Sequence, residues 1–148
     1  ILLLNNALWH LHELSDFEAC IRCVRRHLAP GGLFFLDVFI PGLEFLTRDP
    51  EKRYPAFQYT ESDGELVQVT QSYRYEADTQ IARTVHYKGD TDEIVGGLNL
   101  RMYFPRELDA LLTYNGLRIV DKLGSWERDA FGPDSRHQLY FCSTQPLG

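Results

Sequence analysis

The sequence lacks long apolar runs and has no excess of positive charge. No uninterrupted apolar run exceeds four residues, as in residues 1–4 and 33–36, whereas a helix needs about 18 to 20 apolar residues to cross a bilayer. We therefore predict no membrane span. Lys and Arg total 15 against 21 Asp and Glu, a net charge of -6. Because non-specific nucleic-acid binding depends on cationic side chains, this balance argues against a DNA or RNA partner and against docking on an anionic membrane.

Cysteine is also scarce. The three Cys form an odd number, and no basic leader or small-residue cleavage site precedes Asn5, so we expect reduced thiols and a cytoplasmic protein. Cys20 and Cys23 have the spacing of a zinc-binding pair, but they fall within a predicted helix and no second pair has ligand spacing. The sequence therefore predicts no metal site.

The apolar residues that are present, 44% of 148, are enough for one globular domain. Residues 1–4 and Leu33–Phe39 are apolar at consecutive positions, which is typical of strands buried on both faces. The segment between them predicts a helix, with a capping box at Ser15–Glu18 and an apolar face that starts at Phe17. Strand, helix and strand at this spacing indicate a parallel crossover unit.

The middle of the chain has a different pattern. Val67, Val69 and Tyr73 alternate with polar residues, as expected of antiparallel strands that have one face exposed to solvent. The pair Gly96-Gly97 indicates a bulge or a close backbone approach. We therefore divide the single domain into a strand-helix-strand core (1–53), an antiparallel flap (54–103), and a final helix with a closing strand hairpin (104–148). The final helix is predicted to begin at Pro105, where a missing N–H costs nothing, and to end at Asn115-Gly116, where glycine suits the left-handed cap.

Three segments resemble the later half of the class I S-adenosylmethionine-dependent methyltransferases, and most closely their small-molecule N-methyltransferases of the glycine and amino-sugar type. These segments are residues 6–11 (NALWHL), 28–33 (LAPGGL) and 101–120 (RMYFPRELDALLTYNGLRIV). The resemblance implies an α/β fold, namely the later strands of a three-layer Rossmann-like methyltransferase sheet with an antiparallel insertion. It also implies that S-adenosylmethionine is the methyl donor and that a small molecule, an amine, is the acceptor.

One part of the family pattern is missing. Enzymes of this kind hold the cofactor with a Gly-rich loop and a later acidic residue, and Gly96-Gly97 does not open a helix as that loop does. We therefore expect the chain, which opens on Ile1 within an apolar run, to be the later part of a longer enzyme and inactive alone. Residues 1–4 would then form an exposed strand edge, which native proteins pair or cover, and we expect pairing there or a homo-oligomer.

The resemblance also implies site residues. His10 follows the first strand, at the sheet edge where open α/β folds bind ligands, and is the candidate catalytic residue; the alternative is a structural or surface histidine. Asn5, Asn6 and Ala7 are candidates for cofactor binding through their backbone, and the alternative is a simple turn at a strand end.

Three further residues are candidates for substrate binding. Asp37 is near the end of the second strand, and Arg101 and Tyr103 leave the flap. For Asp37 the alternative is a buried carboxylate bonded to backbone amides, and for the other two it is ordinary packing. The rival function is a non-catalytic binding or assembly module that pairs through its exposed sheet edge. An α/β-hydrolase fragment is disfavoured because there is no Gly-x-Ser-x-Gly elbow.

Overall fold

The computed structural model describes residues 1–144, which form two compact units with one sheet each. The first unit contains Ile1–Pro41 and the described residues from Tyr103 onward, and the second is Gly42–Met102. Within residues 1–144, no helix combines the length and the apolar character that a membrane crossing requires. In chain order the elements are β1 (Leu2–Leu3), a 3₁₀ turn (Ala7–His10), α1 (Leu14–His27), β2 (Phe34–Phe39), α2 (Leu43–Leu46), β3 (Tyr54–Thr60), β4 (Leu66–Glu76), β5 (Ile81–Lys88), β6 (Ile94–Arg101), α3 (Pro105–Tyr114), β7 (Leu117–Leu123) and β8 (His137–Thr144).

The sheet of the first unit has the strand order β1-β2-β8-β7. β1 is parallel to β2, with Leu2 opposite Phe35, so the predicted parallel crossover is confirmed. β8 is antiparallel to both of its neighbours and places His137 opposite Phe39. The carboxyl ends of β1, β2 and β7 and the first residue of β8 therefore lie at one edge of the sheet.

The helices of the first unit pack on one face of this sheet. Phe34 of β2 is fully buried and shares an apolar groove with Val24 of α1. On the same face, Tyr140 of β8 is also fully buried, and its hydroxyl donates to Asp109 of α3 at 2.6 Å. The opposite face is aromatic, with the Phe35 and Phe141 rings 4.7 Å apart. The α/β class predicted from the consecutive apolar residues is confirmed.

The start of α1 differs from the prediction. The helix begins at Leu14 after Glu13, which has an extended backbone and no side-chain cap bond, so the proposed Ser15 capping box does not form. The carbonyl of Glu13 instead accepts the N–H groups of Asp16 and Phe17, at 3.1 and 3.2 Å. Ser15 is thus already inside the first turn, where its side chain cannot act as an N-cap.

α3 follows its sequence signals. Pro105 is its first residue, and the Glu107 carboxylate accepts the Phe104 N–H at 3.3 Å. Gly116 follows the helix with φ of 78°, a left-handed conformation that glycine adopts without a Cβ penalty. Both predicted ends of α3 are confirmed.

The second unit is an antiparallel sheet with the order β3-β4-β5-β6, as predicted for the insertion. A Cβ on Gly97 would lie 2.5 Å from the Thr84 carbonyl oxygen, so the predicted close backbone approach is present. The unit also includes α2, which the sequence did not indicate. The Phe45 ring of α2 contacts the Tyr73 ring, with centroids 4.1 Å apart and ring planes at 52° to each other.

Candidate functional site

The candidate site is built on a sharp turn at the carboxyl end of β1. Asn5 and Asn6 both have left-handed backbones, with φ of 58° and 56°. Asparagine tolerates this conformation better than most residues because its short amide can bond locally. Two such residues in succession reverse the chain into the 3₁₀ turn Ala7–His10.

Two hydrogen bonds fasten this turn to β2. The Asn5 N–H donates to Asp37 Oδ1 at 2.8 Å, and Asn6 Oδ1 accepts the Phe39 N–H at 2.8 Å. Asp37 is 7% exposed, so its carboxylate lies mostly inside the protein. The structure thus brings Asn5, Asn6 and Asp37 together, and we call this pair of bonds the Asn-Asp clasp.

The 3₁₀ turn presents His10 and buries the residue before it. His10 is exposed at the end of the turn, which leaves its imidazole accessible at the edge of the sheet. Trp9 is 6% exposed and meets the Phe39 ring edge-on, with centroids 6.2 Å apart. Ala7 lies between these residues and the clasp, and its N–H donates to the Leu4 carbonyl at 3.2 Å.

Tyr103 contacts Leu11, the residue that follows His10 in the chain. It is fully buried, its hydroxyl donates to the Leu11 carbonyl at 2.6 Å, and its carbonyl accepts the Gln138 side-chain amide at 2.9 Å. Arg101 belongs to the second unit, where it ends β6 opposite Ile81. The clasp residues, Ala7, His10 and Tyr103 are therefore assembled within one unit, and Arg101 is in the other.

A surface cavity of about 580 Å³ lies along the same edge, within the connection from β7 to β8. The sequence pattern predicts only a closing strand hairpin in this region and does not single out His137. The His137 ring lies 4.8 Å from that of Phe39, and its Nδ1 is buried without a hydrogen-bond partner among residues 1–144. The sequence feature that could have identified His137 is its place as the first residue of a strand that starts at the edge of the sheet where ligands bind.

Metal binding and thiol chemistry receive no support from the described residues. Residues 1–144 contain no group of three or more His, Cys, Asp or Glu side chains arranged to hold a metal ion. Cys20 and Cys23 are free thiols. Burial, and secondarily the neighbouring Cys23, raises the pKa of Cys20 above its usual value, which disfavours the reactive thiolate.

Comparison with known proteins identifies the fold. No protein-family model matches the chain, and no curated protein matches it in sequence. The CcbJ methyltransferase from Streptomyces caelestis superposes with a TM-score of 0.73 at 20% identity, over 97% of this chain and 55% of that chain. A S-adenosylmethionine-dependent methyltransferase from Clostridium acetobutylicum gives a TM-score of 0.70 at 16% identity, over 97% and 57%.

A third similar structure is CalS10, an amino pentose methyltransferase from Micromonospora echinaspora, with a TM-score of 0.62 at 18% identity, over 97% of this chain and 57% of that chain. These likenesses confirm the methyltransferase-like fold and match the C-terminal portion of the neighbours. The chain spans little more than half of their length.

Proposed function

We propose that this protein contributes the acceptor side of a methyltransferase, at which a methyl group passes from S-adenosylmethionine to a small-molecule amine. The observation that carries the proposal is the exposed His10, held at the ligand edge of a methyltransferase-like sheet by the Asn-Asp clasp. Transfer from a sulfonium is a direct displacement, so alignment of the amine matters more than strong acid or base assistance.

The residues of this chain fit part of the proposed cofactor. In the turn, the Asn5 N–H, the Ala7 N–H and the Asn6 carbonyl already bond to Asp37, Leu4 and Trp9. The Asn5 carbonyl and the Asn6 N–H are the backbone groups that we propose for the amino and carboxylate ends of a methionine moiety. We propose that Asn5, Asn6 and Ala7 contact that moiety through their backbone. When bound, S-adenosylmethionine supplies an electrophilic methyl group on a sulfonium.

The chain's own residues would then have distinct roles. We propose that a nitrogen of the His10 imidazole accepts the N–H proton of the amine and orients its lone pair. Asp37 and Tyr103 are occupied by the bonds to Asn5 and Leu11, so we propose that they serve the substrate site by positioning the turn on which His10 stands. For Arg101, which ends β6 in the second unit, substrate binding stays a prediction from the sequence.

The direct test is product formation by the complete protein. It is incubated with methyl-labelled S-adenosylmethionine and, separately, with glycine, D-glucosamine and D-glucose, and products are identified by mass spectrometry. We expect label on the nitrogen of an amine and none on glucose, which lacks nitrogen. Absence of labelled amine across a wider amine panel, from protein that binds the cofactor, would overturn the proposed acceptor class.

A second candidate function is assembly through the β1 edge. β1 pairs only with β2 among the described strands, and Leu2 is 68% exposed, so its outer side can accept another strand. We propose that a second strand, from a further copy or from elsewhere in the complete protein, pairs there. Sedimentation measures whether the protein forms a dimer as its concentration rises. A dimer that the Leu2→Lys substitution abolishes would show that the strand pairing with β1 comes from a second copy.

A further inference from the structure

We infer that Gln138 is a positioning residue for His10, because its side chain holds both points at which the turn that carries His10 is attached to the rest of the first unit. This role deepens the proposed function and rests on it. Gln138 acts through the backbone groups that it binds and is not itself a catalytic residue.

The turn is attached at both of its ends. At the start, Asn6 Oδ1 accepts the Phe39 N–H at 2.8 Å. At the end, the Leu11 carbonyl accepts the Tyr103 hydroxyl at 2.6 Å. His10 is exposed between these two bonds, so its position depends on where Phe39 and Tyr103 lie.

One side chain joins the two attachments. Gln138 Nε2 donates to the Tyr103 carbonyl at 2.9 Å and, over a longer 3.4 Å, to the Phe39 carbonyl. Phe39 therefore bonds to the turn through its N–H and to Gln138 through its carbonyl, and Tyr103 does the same through its hydroxyl and its carbonyl. A single amide thus ties the end of β2 to the residue that leads into α3.

The Gln138 amide has one favourable orientation. Its Oε1 accepts the Tyr140 hydroxyl at 3.2 Å, while Nε2 faces the two carbonyl oxygens. In the reversed orientation Oε1 would face both carbonyls, and because an amide oxygen only accepts hydrogen bonds, both bonds would be lost. The contact with Tyr140 therefore keeps the donors of Gln138 directed at the two attachments.

Gln138 is a polar residue in an apolar place. It is fully buried, as are Val38 opposite it in β2 and Tyr140 and Cys142 further along β8. Burial of an amide costs free energy that its hydrogen bonds offset, whereas an apolar side chain of similar volume would pack here without that cost. Glutamine at this position is therefore explained by the two carbonyls that it holds.

Hydrogen exchange of the complete protein, measured by NMR without substrate, tests the positioning role. Gln138→Met keeps a similar length and volume and removes the amide. The N–H groups of Trp9 and Leu11 are hydrogen-bonded within the turn, and we expect both to exchange about tenfold faster in this variant, since the turn loses the support of one or two hydrogen bonds. Cys142→Ala, at a fully buried position of the same strand, is the matched control for lost stability and should change both rates less than about twofold.

Turnover of the complete protein gives the catalytic readout. The substrates are methyl-labelled S-adenosylmethionine and glycine or D-glucosamine, whichever takes up label. Gln138→Met should lower kcat about 10- to 100-fold, the range for a misplaced reacting group, with a KM for the amine within about threefold of the parent value. Cys142→Ala should keep the parent kcat. Tyr103→Phe removes the next bond toward Leu11, and the double variant with Gln138→Met should lower kcat little further than the larger single effect, because the two side chains act along one path.

The outcomes separate this inference from the proposed function. Faster exchange of Trp9 and Leu11 in Gln138→Met, in a protein that methylates no amine, would remove the proposed function and support the positioning of the turn by Gln138. Exchange at the parent rate, or faster exchange with unchanged kcat, would overturn the inference while methyl transfer by the parent stands. If Gln138→Met does not fold, Gln138→Asn replaces it, since its amide is too short to reach both carbonyls, and exchange at the parent rate in that variant would equally contradict the role.

Discussion

The side chains of the Asn-Asp clasp accept hydrogen bonds from backbone N–H groups, and these bonds fix the position of the turn that follows β1. Asn6 Oδ1 and Asp37 Oδ1 each accept one N–H across the gap between β1 and β2. A hydrogen bond to an ionised carboxylate stabilises the folded protein more than a hydrogen bond to a neutral acceptor does. Asp37 is therefore expected to be the stronger half of the clasp.

We predict that Asp37→Ala lowers the free energy of unfolding by about 1–3 kcal/mol, because the Asn5 N–H loses its charged acceptor. Asp37→Asn keeps an acceptor oxygen at the same place and should lose less. Urea unfolding of both variants measures the difference. Equal losses for the two would show that the carboxylate serves something other than this bond.

A buried thiol predicts a pH dependence. Burial, with a smaller contribution from Asp109, raises the pKa of Cys142 from 9.0 to about 12. The unfolded chain loses the thiol proton near pH 9 while the folded protein keeps it, so this contribution is complete below pH 9 and is lost as pH rises toward 12. The loss reaches about 1 kcal/mol at pH 10.

Unfolding measured at pH 8 and pH 10 checks this prediction. Cys142→Ala should show a smaller decrease in stability between the two values than the parent protein. Cys23→Ala, at an exposed position of α1, is the control and should decline as the parent does. Identical slopes for both variants would mean that the Cys142 thiol ionises normally in the folded state.

At the scale of elements, the β5–β6 pairing depends on one glycine. We predict that Gly97→Ala destabilises the second unit by about 1–3 kcal/mol, because its Cβ would overlap the Thr84 carbonyl and the strands would have to separate. The neighbouring Gly96→Ala meets only His86 Nδ1 at 3.8 Å and is a matched control. Urea unfolding in which both variants lose the same stability would contradict a specific close approach.

Elements with strong local signals could be predicted from the sequence. β2 and α3 follow from a consecutive apolar run and from Pro105 with its Gly116 stop. α2 could not be predicted, since four residues are too few for a helical period and its contact with Tyr73 is non-local. The predicted Ser15 capping box was wrong because the helix starts two residues earlier, with Glu13 as the N-cap residue, which takes the Ser15 hydroxyl out of the N-cap position.

The candidate site was predictable only in part. Rules about strand ends locate Asn5, Asn6, His10 and Asp37 at one edge, and the structure assembles them in one unit. The ring contact between Phe39 and His137 depends on the pairing of these residues across β2 and β8, and they lie far apart in the chain. No local pattern in the sequence contains that register, so the cavity beside it was missed.

At the scale of the whole molecule, the two units should differ in amide exchange. Four of the six residues of β2 and four of the eight residues of β8 are buried, whereas six successive residues of β6 are exposed. We predict faster exchange in β3–β6 than in β2 and β8 when no ligand is bound, because exchange follows local opening. Mass spectrometry of peptides after timed exchange measures this, and uniformly slow exchange in the second unit would argue against a mobile flap.

The chain accounts for a little over half the length of its structural neighbours. The Gly-rich loop and acidic residue that such enzymes use for the cofactor are not in this sequence. The proposed function is for this reason limited to the acceptor side of the reaction.

The most direct test of this account is the turnover of the complete protein with His10→Ala. The account predicts a 10²- to 10⁴-fold lower kcat, the range for loss of a positioned proton acceptor, with cofactor affinity and melting temperature close to those of the parent because His10 is exposed. His27→Ala, at the exposed end of α1, should keep full activity. Unchanged turnover in His10→Ala, or its loss through unfolding, would show that His10 is a surface or structural residue.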